Sequence, residues 1–115
     1  MALTNDAKHV MLDALAAVAL RVSIHTADPG AAGTNAEVTG GTYARQAVTW
    51  NAASGGNLDS SNQPVFNIPS GNTITHFGLW NTAGTTHYGS NALSASEAFS
   101  SDGTYTLTDL DITLT

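Results

Sequence analysis

The chain reads as a mainly β protein, an antiparallel β-sandwich or jelly-roll-like barrel preceded by one short N-terminal α-helix. Three observations predict this. Apolar residues recur at helical spacing once, near the start of the chain. From Leu20 onward, short alternating runs replace them, with turn signals roughly every 8–12 residues. Strands and helices do not alternate, which argues against a nucleotide-binding α/β fold. At 115 residues one domain is expected over 1–115, with the helix at 5–18 and the β-sandwich at 20–115.

Ala7, Val10, Met11, Ala14, Leu15 and Val18 follow the i, i+3, i+4 rule that defines one helix face. Thr4 or Asn5 suits the N-cap and Asp6 the first turn. Leu12, Ala16 and Ala19 widen the apolar side, so the helix needs cover from its own sheet, a neighbouring subunit, or both. Leu20, Val22 and Ile24 then alternate with Arg21, Ser23 and His25, the pattern of a half-buried strand. Asp28-Pro29-Gly30 ends it in a turn, because Pro29 has no amide hydrogen and Gly30 tolerates positive φ. A long glycine-rich surface loop follows.

Tyr43 to Trp50 reads as a second strand, and the polar stretch 51–63 as a loop or irregular edge. Val65 to Ile68 lies between Pro64 and Pro69, which marks an edge strand. Turns at Ser70–Asn72 and Asn81–Gly84 flank the run "TITHFGLW" and lead into "TTHYGS". In the tail, Tyr105 and Leu107 are apolar at odd positions, but Leu110, Ile112 and Leu114 at even ones. That phase change calls for a bulge or bend near Thr108-Asp109. No fixed-period repeat is visible.

Charge narrows the functional classes. Three Lys+Arg stand against nine Asp+Glu, a net charge of −6. Lys8, Arg21 and Arg45 cannot form the basic stripe that phosphate neutralisation requires, so neither nucleic acid nor an anionic membrane is an expected partner. No stretch approaches the roughly 18 apolar residues of a membrane span. Asp13 interrupts the first apolar stretch and no positive segment precedes it, so no signal peptide is expected. There are no cysteines, which removes disulfides, thiolate nucleophiles and sulfur-ligated metals. Charged residues make up 10% of the chain, against about 25% in an ordinary soluble domain. The surface must be mostly Thr, Ser, Asn and Gly, which suits a packed structural protein.

Chemistry-bearing residues are few. His25 and Asp28 stand three apart, but no nucleophile elbow, zincin helix, P-loop or dinucleotide fingerprint accompanies them. The pair is read as strand and turn punctuation. His76 and His87 have a chance of meeting across the Asn81–Gly84 hairpin, though ordinary strand positions are the stronger reading. Asp109 and Asp111 share a strand face near Asp102, without a calcium-loop pattern, and are read as a solvated acidic face. Trp50 and Trp80 end alternating strands, where core packing is the usual role. An exposed row of Trp50, Trp80, Tyr43 or Tyr88 would instead suit carbohydrate stacking. No cofactor, metal or catalytic residue is expected.

The strand at Leu20, then "HTADPG", a glycine-rich loop and "GGTYARQAVTW" resemble small virion proteins of tailed bacteriophages. The likeness runs from Leu20 to about Leu93. It implies a non-enzymatic structural protein, made in the host cytoplasm and built into the virion. Since no repeat or coiled coil supplies fibre length, a capsid decoration protein on the head exterior is the first reading. A minor tail or tail-fibre-associated protein, with a possible carbohydrate-binding role, is the alternative. The partners implied are the major capsid protein or tail proteins, with a homo-oligomer, a trimer, expected. Contact candidates are the loop residues Ala31, Ala32, Gly33, Thr34, Asn35 and Ala36 and the helix residues Val10, Leu15 and Val18. Deleting Ala31 to Ala36 is expected to spare the fold and weaken assembly.

Overall fold

The computed structural model describes residues 1–108 and 110–114. Among the described residues there are one helix, α1 (Asn5–Ala16), and eight strands. The strands are β1 (Arg21–His25), β2 (Gln46–Ala47), β3 (Asn57–Asp59), β4 (Val65–Ile68), β5 (Asn72–Trp80), β6 (His87–Phe99), β7 (Gly103–Thr106) and β8 (Asp111–Thr113). Among the described residues, no helix is long and apolar enough to cross a membrane.

Thr4 caps α1, its side-chain oxygen accepting from the Ala7 amide at 3.2 Å. The helix ends at Ala16, two residues earlier than the spacing predicts. Val18 and Ala19 fold back onto the Leu15 carbonyl, and the Leu20 amide is already committed to the Trp80 carbonyl at 3.0 Å. Sheet pairing takes the backbone from there.

All strand pairs are antiparallel and form three open sheets. The largest has the order β2-β1-β5-β6, and two ribbons, β3-β8 and β4-β7, lie apart from it. Val22, Ile24 and Leu79 of the large sheet share a core with Phe66 and Ile68 of β4 and with Leu107 and Leu110. The arrangement is sandwich-like, with no closed barrel.

The tail's phase change is a change of partner: β7 pairs with β4, and β8 with β3. Leu107 and Leu110, of opposite parity, are both buried between them. Asp109, on which the expected bend and the paired acidic face partly rest, lies outside the described residues.

Three expectations are corrected. The strand over Tyr43–Trp50 shrinks to Gln46–Ala47. Where its ladder would meet Ile24, the Tyr43 hydroxyl takes the Ile24 amide at 3.0 Å in place of a backbone carbonyl. The polar stretch 51–63 contains β3, because Leu58 is fully buried and its strand pairs with β8. Finally, β1 is buried on both faces: Ser23 and His25 have no exposed surface.

β5 pairs with β1 in an unbroken register from Arg21↔Trp80 to His25↔His76. Against β6 it does not: Leu93 to Ser96 stand opposite Thr75 alone, and Tyr88 is unpaired between Gly89 and His87. Such bulges exchange the faces of a strand. The extra residues lie on β6, so it is β6 that changes face along its length.

Candidate interaction site beneath the glycine-rich loop

The second face of β1 is polar yet dry, which sets this fold apart from a half-solvated sheet. His25 Nδ1 lies 2.7 Å from the Asn35 carbonyl, so it must donate. The neutral ring then accepts at Nε2 from the Ser23 hydroxyl, 2.7 Å away. The Ser23 oxygen in turn accepts from the Trp80 indole N–H at 2.8 Å. The result is one directed chain from Trp80 through Ser23 and His25 to the loop backbone. Burial pushes the His25 pKa below its ordinary 6.5, outweighing the opposing pull of the Asn35 carbonyl and the Glu37 charge.

Gly78 makes room for this chain. A Cβ there would lie 2.7 Å from the Ser23 hydroxyl and 3.3 Å from His25 Nε2. A serine hydroxyl on a histidine nitrogen is also the geometry of an activated nucleophile. Here both residues are fully buried and the hydroxyl is shared with Trp80, so no substrate atom can reach it.

Further contacts brace the loop internally and hold it on this face. Arg45 grips Glu37 with two hydrogen bonds, at 2.8 and 3.0 Å. The Tyr43 hydroxyl donates to the same carboxylate at 2.8 Å. Burial raises the Glu37 pKa, but the Arg45 and Tyr43 hydrogen bonds prevail and hold it below the ordinary 4.5. Burial, together with the Glu37 charge, holds the Tyr43 pKa well above its usual range. The Arg45 guanidinium also lies 3.9 Å over the Trp80 ring. Trp80 meets His87 at 4.9 Å, and His87 packs under Gly33. Thus "GGTYARQ" acts as a clamp: the glycines turn the chain so that Tyr43 and Arg45 return onto Glu37.

Lysine cannot reproduce a planar two-point contact stacked on an indole. Arg45→Lys is expected to cost about 1–2 kcal/mol in urea unfolding. Ala36 is held at φ 58°, in the left-handed region. Relieving that strain outweighs the extra freedom glycine gives the unfolded chain, so Ala36→Gly is expected to gain about 0.5–1 kcal/mol. A differential thermal melt reads both.

The structure separates the sequence-derived candidates. Ala31, Ala32, Thr34, Asn35 and Ala36 are exposed, whereas Gly33 is buried beneath them. Val10 and Val18 are exposed, but Leu15 is half-buried and packs on the protein's own core. The contacts of this segment argue against the expectation that deleting 31–36 spares the fold. Asn35 supplies the acceptor for His25, and the Ala36 carbonyl accepts from the Thr26 amide at 2.9 Å.

Asp28 forms no pair with His25. Its carboxylate accepts from the Gly30 amide at 2.9 Å and shapes the turn. His76 and His87 do not face each other: His76 sits opposite His25 and Ala92, and His87 opposite Trp80. Among the described residues, no cluster of three His, Asp or Glu side chains is assembled. Trp80 is buried and Trp50 half-buried, with its indole N–H on the Ala19 carbonyl at 2.8 Å. Of the four aromatics weighed as a platform, only Tyr88 is exposed. The Glu37–Arg45 clamp escaped sequence reading, although a signal was present. Two opposite charges flank the Gly40-Gly41 turn in a chain with very few charges.

Residues 6–115 match the family described as podophage GP4 fiber I protein gp80, and the chain belongs to that family. It is a fibre-type virion structural protein of a tailed phage. No curated protein and no solved structure matches it.

Proposed function

We propose that this chain is a non-enzymatic structural module of the phage tail fibre, joined to neighbouring tail proteins through the exposed rim of its glycine-rich loop. The family match carries the reading, and it favours the tail alternative over capsid decoration. The loop supports it physically. Ala31, Ala32 and Thr34 present a neutral surface, while the segment beneath is held by His25, His87 and Glu37. A loop fixed before binding loses less entropy on contact. The burial of the Ser23–His25 pair supports the absence of catalysis.

Co-sedimentation of the purified chain with isolated tails, and separately with empty capsid shells, tests the proposal. Saturable binding to tails is expected, and the double variant Ala31→Glu/Ala32→Glu is expected to weaken it at least tenfold with an unchanged melting curve. Binding to shells alone, or a variant that binds tails as well as wild type, would overturn it.

A further inference from the structure

Among the described residues, the sheet side chains that hydrogen-bond the outer part of the glycine-rich loop, residues 27–36, are both imidazoles. His25 Nδ1 of β1 donates to the Asn35 carbonyl at 2.7 Å, and His87 Nδ1 of β6 to the Ala31 carbonyl at 3.2 Å. Just beyond β1, the Thr26 amide and hydroxyl donate to the Ala36 carbonyl at 2.9 and 3.3 Å. The two ends of the segment are fixed independently. Before it, β1 is paired with β5 along its whole length. After it, Glu37 sits between Arg45 and Tyr43, and Val38 is buried with its amide on the Ile24 carbonyl at 3.0 Å. Residues 27–36 thus form a flap between two firm hinges, latched by histidines.

We propose that protonation of His25 frees this flap, so that the rim residues Ala31, Ala32 and Thr34 are held in place at neutral pH and released in acid. The regulation of attachment rests on the rim being the attachment surface; the release of the flap does not. Only the neutral ring fits its site. With Nδ1 given to Asn35, Nε2 must accept from Ser23, and a proton there turns it into a second donor. The Ser23 oxygen would then face two donors, His25 and the Trp80 indole, and its own hydrogen would lose its acceptor. No water fits alongside, since even a Cβ on Gly78 would lie 2.7 Å from the hydroxyl. The surrounding charges do not rescue the cation. Glu37 attracts it but is committed to Arg45 and Tyr43, and Arg45 and a protonated His87 repel it. His76, opposite on β5, has its Nδ1 2.7 Å from the Thr75 hydroxyl, and β2 brings no charge. At the second latch, His87 Nε2 is buried without a hydrogen-bond partner among the described residues. Since β1 cannot leave the sheet, a charged His25 reaches water only when the flap lifts.

The direction with pH follows. Under a lifted flap His25 titrates near its ordinary 6.5, whereas burial holds it lower in the closed protein. Below pH 6.5 the lifted state binds more protons and gains on the closed one, by at most about tenfold per pH unit. Between pH 7.5 and pH 5.0 the ceiling is about thirtyfold.

Residue-resolved amide exchange by NMR on the isolated full chain, corrected for intrinsic rates, tests the release. From pH 7.5 to pH 5.0 the protection of the Thr26 amide is expected to fall about ten- to thirtyfold, with unchanged circular dichroism. The Leu20 and Val38 amides, on the Trp80 and Ile24 carbonyls, are expected to change less than about threefold. In the wild type the fall should continue until the His25 ring itself titrates, read from its NMR shift, and level off there. His25→Gln keeps an acceptor for Ser23 but takes no proton, and should abolish the fall. Thr26 protection that holds to pH 5.0, a loss shared equally by Leu20 and Val38, a fall that continues past the ring's titration, or a His25→Gln variant that behaves as wild type would each overturn the release. Co-sedimentation with isolated tails at the same two pH values separates the two readings. Tails bound at pH 7.5 and freed at pH 5.0 support the regulation, and tails bound equally at both overturn it. No binding at pH 7.5, beside a pH-dependent Thr26 amide, sinks the attachment surface and leaves the flap release standing.

Discussion

Replacing Gly33 with alanine is expected to destabilise the protein by about 2–4 kcal/mol, read as a lower midpoint in urea unfolding. Two costs add. Gly33 sits at φ 74°, where an L side chain is strained. A Cβ there would also lie 2.4 Å from Cγ and Cδ2 of His87. The ring has little room to retreat, because Trp80 packs against it at 4.9 Å and its Nδ1 contacts the Ala31 carbonyl at 3.2 Å. The loop itself must therefore lift. Gly40→Ala is the matched control: its φ is 96°, but open space surrounds the new Cβ. It should show the backbone cost alone, about 1 kcal/mol. Equal effects at the two positions would mean that the loop is not seated on His87.

His25→Leu is expected to cost about 2–5 kcal/mol at neutral pH, since it strands the buried Ser23 hydroxyl and the Asn35 carbonyl at once. The Ser23 hydroxyl loses its acceptor, and the Asn35 carbonyl loses its donor. The variant should also change the pH dependence. In the folded protein the His25 pKa is depressed, whereas the unfolded chain titrates near 6.5. Between those values the unfolded state holds more protons, so wild-type stability falls as pH drops through the window. The slope from this one group is at most about 1.4 kcal/mol per pH unit. The contribution is fully present above pH 6.5. Glu37, depressed below 4.5, adds a second loss at lower pH. His25→Leu should remove the first loss and keep the second. If the variant and wild type lost stability in parallel from pH 6.5 downward, the buried neutral histidine would be wrong.

How the fold was legible follows from which side chains carried a signal. The helix, β1, β4 and β5 announce themselves through periodicity and turn residues, and their observed bounds fall within a few residues of the expected ones. β3 did not, because one buried Leu58 in a polar run gives no period to detect. The second strand was overread. "YARQAVTW" alternates, but Tyr43 and Arg45 are diverted into the Glu37 clamp and leave the ladder. The sharpest misreading is the second face of β1. Arg21, Ser23 and His25 look solvent-facing in sequence. The pattern cannot reveal that His25 reaches the Asn35 carbonyl of the loop while Ser23 is satisfied by His25 and Trp80. "HTADPG" is punctuation, as the residues suggest, but its histidine also anchors the loop it introduces.

The family match backs the tail alternative better than the decoration reading, for a related reason. The decoration reading assumed that a fibre protein must carry its own length in repeats or a coiled coil. This chain measures 48 × 24 × 23 Å and belongs to a fibre family, although its own sequence displays neither device. Length in an assembly can come from stacked subunits, which the sequence of one subunit does not display.

Locating the chain on intact virions tests the central claim most directly. Gold-labelled antibody raised against the purified protein, viewed by electron microscopy, is predicted to decorate the tail fibres and leave the capsid shell bare. Gold distributed over the capsid exterior, with unlabelled tails, would contradict a tail-fibre module.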